Sequence, residues 1–106
     1  MSFETVIVQF EGFSPSRFSQ TYFRRLAEQI RDESPSWATV RTSVHKAGKG
    51  FRGAMKITSA AGEFFVTANA ERVTDLGHKL KTRVRRQLSR WKSKRISRET
   101  IRRAIG

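Results

Sequence analysis

The chain has no cysteine, which excludes a disulfide, a thiolate metal site and a cysteine nucleophile, and permits a reducing compartment. It has two prolines, Pro15 and Pro35, and only nine acidic residues against twenty-two Lys and Arg. No apolar run approaches the ~20 residues that a membrane span needs. Residues 1–11 have no basic flank and carry Glu4, so no signal peptide is expected. The two histidines, His45 and His78, stand at no metal-ligand spacing from each other or from acids. Ser14, Ser16, Ser19 and Ser43 lack the context of a nucleophile elbow, and Gly48-Lys49-Gly50 is too short for a phosphate-binding loop. No catalytic constellation is left, so no enzyme, cofactor, metal or small-molecule substrate is expected.

What remains is basic and patterned. The 106 residues carry a formal charge of +13 and are 37% hydrophobic, with the apolar residues in periodic clusters, which suits one folded domain. The charge is uneven. Residues 1–70 hold nine cations and six acids; residues 71–106 hold thirteen cations and only Glu71, Asp75 and Glu99. A solubility device would mix both signs over the surface. Concentration on the last third points instead to a face for a polyanion, nucleic acid above all.

Residues 5–10 are β-branched and aromatic, with Val6, Val8 and Phe10 on one side, and predict a first strand. Ser14 and Pro15 suit the N-cap and first position of a helix. Phe18, Tyr22, Leu26 and Ile30 recur every four residues, widened by Phe23 and Ala27, until Ser34-Pro35-Ser36 stops the helix. Ala38, Val40, Thr42 and Val44 alternate with polar residues, as do Phe51, Gly53, Met55 and Ile57, and then Phe64, Val66, Ala68 and Ala70. With tight turns between them, these three strands form an antiparallel meander. From about Arg72 to Arg95, Val73, Leu76, Leu80, Val84, Leu88 and Trp91 step by three or four, a helical period. Gly77 interrupts it where close approach to the sheet would explain a small residue. The order β-α-β-β-β-α predicts an α+β two-layer sandwich, a four-stranded sheet with two helices packed on one face. Residues 1–95 are assigned to one α+β domain, and residues 96–106 to a basic C-terminal tail that could add a further short turn of helix.

The strongest candidate site is the last helix. Lys79, Arg83, Arg86, Arg90 and Lys94 form a second stripe beside the apolar one, broadened in this reading by Lys81, Arg85 and Lys92. Cations one turn apart, ~5–6 Å, can follow a phosphate backbone, and Arg grips phosphate bidentately. An ordinary solvated face would interleave Glu at i±4, whereas here like charges crowd one another. Arg41, Arg52 and Lys56 project from the sheet face opposite the core, as does His45. They either extend the basic surface or form the polar side of a one-faced sheet, and residue type alone tilts toward the second. Lys46 lies at a strand end, where it can escape the core. Phe65, on the same outer face, suits base stacking or cross-strand packing; Trp37 and Trp91 suit core or rim packing.

The chain order, with Ala61-Gly62-Glu63 opening the fourth strand, then Asp75-Leu76, Lys79-Leu80, Arg86-Gln87-Leu88, Trp91-Lys92 and Lys94, resembles the ribosome hibernation-promoting factor and ribosome-associated inhibitor family, once described as sigma-54 modulators. The resemblance spans residues 5–95, in a short or divergent form without a second domain. It implies a cytoplasmic, non-catalytic protein that docks in the messenger and transfer RNA channel of the small ribosomal subunit and holds the ribosome idle under stress. It also implies that Lys79, Arg83, Arg86, Arg90 and Lys94 contact ribosomal RNA. Two alternatives stand beside it: a general double-stranded or structured RNA-binding module, and a basic adaptor protein whose amphipathic helix meets a protein or an anionic membrane. Neutralisation of six to eight phosphates would give a log–log salt slope of about −4 to −7.

Overall fold

The computed structural model describes the backbone of residues 5–105 and the side chains of residues 5–94. The order is β1 (Val6–Glu11), α1 (Arg17–Glu33), β2 (Thr39–Ala47), β3 (Gly50–Ser59), β4 (Gly62–Ala70) and α2 (Val73–Ile105). The sheet runs β1-β2-β3-β4, with β1 parallel to β2 and the other pairs antiparallel. A parallel pair needs a crossover, and α1 supplies it. Both helices cover the same face, α1 over β1 and β2, α2 over β3 and β4. The expected α+β sandwich is the fold observed.

Alternation along the strands sends Val40, Val44, Met55 and Ile57 inward to meet Phe23 and Ile30 of α1 and Leu76, Leu80 and Val84 of α2, all fully buried. Thr42 is also fully buried, and its hydroxyl meets no partner among the described residues. Lys46 leaves the core by lying over the Phe51 ring, 4.6 Å from its centroid.

Four local expectations are corrected. The N-cap of α1 is Ser16, not Ser14: its hydroxyl accepts from the Ser19 amide at 3.0 Å, and Pro15 falls outside the helix. The buried stripe of α1 centres on Phe23, Ala27 and Ile30, leaving Phe18 65% exposed, because α1 shares its inner flank with α2 as well as with the sheet. Trp37 is no core residue. It stands 90% exposed on a backbone with φ of 63°, in the tight connection from α1 to β2. Finally, α2 runs unbroken through residues assigned to a separate tail, since no glycine or proline interrupts residues 78–105.

Gly77 has a different neighbour from the one expected. A Cβ there would lie 2.3 Å from Cε1 of Tyr22, so this glycine admits a ring from α1. The Tyr22 hydroxyl donates to the Thr74 carbonyl at 3.1 Å. Burial, and secondarily the charge of Asp75, raises its phenol pKa above the usual 10.0. The glycine that sets the approach of α2 to the sheet is Gly53, where a Cβ would lie 3.0 Å from methyls of Leu76 and Leu80.

Candidate nucleic-acid interface

Since α2 covers β3 and β4 with α1 beside it, its two flanks meet different surroundings. One flank follows β4, an edge strand of the sheet. An edge strand leaves alternate carbonyls and amides unpaired. Here Lys79 Nζ donates to the Asn69 carbonyl at 2.8 Å, Arg83 Nη1 donates to the Thr67 carbonyl, and Gln87 Nε2 donates to the Phe65 carbonyl at 3.0 Å. The donors climb the helix by four while the acceptors descend the strand by two. Four helical residues rise ~6 Å and two strand residues ~6.7 Å, so the two ladders stay in step. The cation row therefore also seals the sheet edge.

Arg86 and Arg90 project from the same flank. With Phe65, Thr67, Arg83 and Gln87 they line a concavity of about 320 Å³ between α2 and the β4 edge. Lys94 is exposed one turn further along. Among the described residues, none of Lys79, Arg83, Arg86, Arg90 and Lys94 pairs with a carboxylate.

The other flank faces α1, and there the expected broadening of the stripe is corrected. Arg85 grips Glu33 of α1 bidentately, Nε to Oε2 at 3.1 Å and Nη2 to Oε1 at 2.8 Å. Lys81 borders a groove of about 270 Å³ with Phe18, Tyr22, Arg25 and Leu26. Lys92, seven residues beyond Arg85, stands two turns along the same side and is exposed. Sequence spacing had put all eight cations on one surface because the solvent arc of the helix is continuous. Only the position of α1 divides it.

The sheet cations occupy the face away from both helices. Arg41 and Lys56 are direct cross-strand partners, and Arg52 lies four residues from Lys56 on β3. Lys56 pairs weakly with Glu63 at 3.6 Å, and His45 with Glu11 at 3.1 Å. Phe65 is opposite Lys56 and is 57% exposed, whereas Trp91 sits edge-on to Phe64 at 6.5 Å, as rim packing requires. The residue that sequence reasoning missed is Gln87; its signal is its place four residues after Arg83 in the capping ladder.

Among the described residues no three or more His, Asp or Glu gather at metal-binding distance, and no helix is long and apolar enough to cross a membrane. Among the described residues, this two-layer α+β domain carries a basic flank along β4 whose cations meet no carboxylate.

No protein-family model matches the sequence, and no curated protein matches it. Solved structures do match the fold. The chain is similar to a ribosomal subunit interface protein from Coxiella burnetii, with TM-score 0.65 and 13% identity over 83% of this chain and 97% of that one. It is also similar to the N-terminal domain of Protein Y from Thermus thermophilus, with TM-score 0.59 and 12% identity over 80% and 92%. At such identity the likeness is one of fold, and it is the fold that the resemblance to the hibernation-promoting family implied.

Proposed function

We propose that this protein is a non-catalytic, ribosome-associated RNA-binding protein of the cytoplasm that docks in the messenger and transfer RNA channel of the small subunit and blocks translation by occupancy. The observation that carries this reading is the flank of α2 along β4: Lys79, Arg83, Arg86, Arg90 and Lys94 in a row, with no carboxylate partner among the described residues, on a helix held rigidly by its buried leucines. Such a row costs like-charge repulsion in the free protein, and an RNA backbone removes that cost. Two fold neighbours support the ribosomal address, one being named a ribosomal subunit interface protein. The domain responsible is residues 1–95.

The test is sucrose-gradient sedimentation with ribosomes and separated subunits at low and physiological salt. Co-migration with the small subunit or the whole ribosome at physiological salt is expected, together with inhibition of translation in a reconstituted assay. Migration with both subunits equally and only at low salt would refute the address and leave a general RNA-binding module.

A further inference from the structure

The outer face of the sheet carries three rows of side chains whose order is set by the strand register. One row reads Ile7, Arg41, Lys56, Phe65 across the four strands; the next reads Gln9, Ser43, Ala54, Thr67; the third reads Glu11, His45, Arg52, Asn69. The middle row is short from β2 to β4, while the flanking rows hold Arg41, Lys56 and Phe65 on one side and His45 and Arg52, ending in Asn69, on the other. Rows are ~6.7 Å apart, so the outer two stand ~13 Å apart and enclose a trough that crosses the strands. A concavity of about 420 Å³ bordered by His45, Arg52, Ala54 and Thr67 lies in this trough; a second, of about 300 Å³ and bordered by Thr39, Arg41, Lys56 and Thr58, lies on the far side of the Arg41–Lys56 row. Thr67 also borders the α2 concavity, so the trough runs over the β4 edge into the groove of Arg83, Arg86 and Arg90.

From this geometry we infer that the trough and edge groove together hold one extended strand of RNA, with a base stacked on Phe65. The inference rests on the RNA-binding reading above and names the form of RNA that this second surface takes. Three features select a single strand. Arg41 and Arg52 have no carboxylate partner among the described residues, and Arg41 directly opposes Lys56, a like-charge pairing that the exposed 3.6 Å contact of Lys56 with Glu63 offsets only in part and that a phosphate would relieve further. Phe65 offers more than half its surface at the point where the path crosses the edge, and a ring there can stack only on a base whose face is free. A duplex keeps its base faces inside and would meet the trough with backbone alone. In addition, the amides of Phe65, Thr67 and Asn69 point off the edge beside the capped carbonyls, and N–H donors in that position suit phosphate oxygens.

Fluorescence anisotropy with a labelled eight-nucleotide RNA of mixed sequence, alone and annealed to its complement, tests the inference. Phe65→Ala is expected to weaken the single strand about tenfold or more and to change duplex affinity less than about twofold. Arg52→Ala with Lys56→Ala is expected to weaken the strand similarly and to make its log–log salt slope shallower by about 1.4. All three positions are exposed, so both variants should melt as the unaltered protein does. Undetectable strand binding by the unaltered protein, wild-type affinity in both variants, or equal losses for strand and duplex would each overturn the inference. Ribosome sedimentation separates the two readings: absence of co-migration with the small subunit refutes the docking address, yet leaves the trough standing if the free strand still responds to Phe65→Ala.

Discussion

The two flanks of α2 carry the same residue types and do opposite things. Toward α1, Arg85 is spent on Glu33 and Lys81 borders a half-apolar groove, so charge there joins one helix to another. Toward β4, Lys79 and Arg83 donate to backbone carbonyls, which carry no net charge, and the guanidinium of Arg86 and Arg90 faces the open concavity. A cation bonded to a carbonyl still projects its full charge, whereas one bonded to a carboxylate does not. What separates neutralised from unneutralised cations in this helix is therefore the partner, not the residue.

The largest expected effect breaks the flank proposed to bind RNA. Arg83→Glu, Arg86→Glu and Arg90→Glu together should lower RNA and small-subunit affinity more than about a hundredfold at physiological salt, since three charges are reversed along one phosphate track. The melting temperature should fall by only a few degrees, and unchanged sedimentation of the folded variant would sink the assignment. Next, the salt response counts the flank. With Lys81, Arg85 and Lys92 turned away, the five cations on the β4 side account for a slope of about −3.5 to −4.5, and the three sheet cations steepen it to about −6 to −7 where one strand spans trough and groove together. A slope that becomes shallower in a Lys81→Ala, Lys92→Ala variant would mean that the α1 flank joins the contact.

The converse variant, Arg85→Ala, should leave RNA affinity within about twofold and cost about 1 kcal/mol of stability by denaturant melting, with the exchanged pair Glu33→Arg, Arg85→Glu recovering part of it. A loss of RNA binding without loss of stability would erase the difference between the flanks. Gly77→Ala tests the α1 side again. Alone it should destabilise by displacing the Tyr22 ring; in a Tyr22→Ala background it should stabilise by about 1 kcal/mol, the helical gain of alanine. Tyr22 also makes stability pH-dependent. Its folded pKa is raised, so its contribution is fully present below pH 10.0 and is lost as the pH climbs through the folded value, a decline that Tyr22→Phe should remove. The smallest effect is Gln87→Ala, which frees one edge carbonyl and should cost about 0.5–1 kcal/mol.

Most of the fold was legible in the chain because its cues are local. Period two in Val40–Val44, Met55–Ile57 and Val66–Ala68 and period three to four in Leu76–Leu88 follow from where Cβ points in strand and helix. The misplaced details have equally plain causes. Phe18 continues a perfect i, i+4 series, yet a series extends in sequence beyond the surface that covers it. Gly77 announces a close approach without saying which neighbour makes it. Ser14-Pro15 and Ser16 each offer a plausible cap, and the choice depends on where β1 releases the chain.

The same division holds for the candidate site. Charge, the absence of catalytic groupings, the binary pattern and the row Lys79, Arg83, Arg86, Arg90 and Lys94 are properties of composition and spacing, and they were present before any packing was known. The neutralisation of Arg85 by Glu33, fifty-two residues away, the alignment of Lys79, Arg83 and Gln87 with alternate carbonyls of an open edge, and the meeting of sheet trough and helix groove at Thr67 were not. Those depend on which strand ends the sheet and which side of α2 meets α1. Such long-range choices are settled by burying both helices on one face, and no local window of the chain contains them.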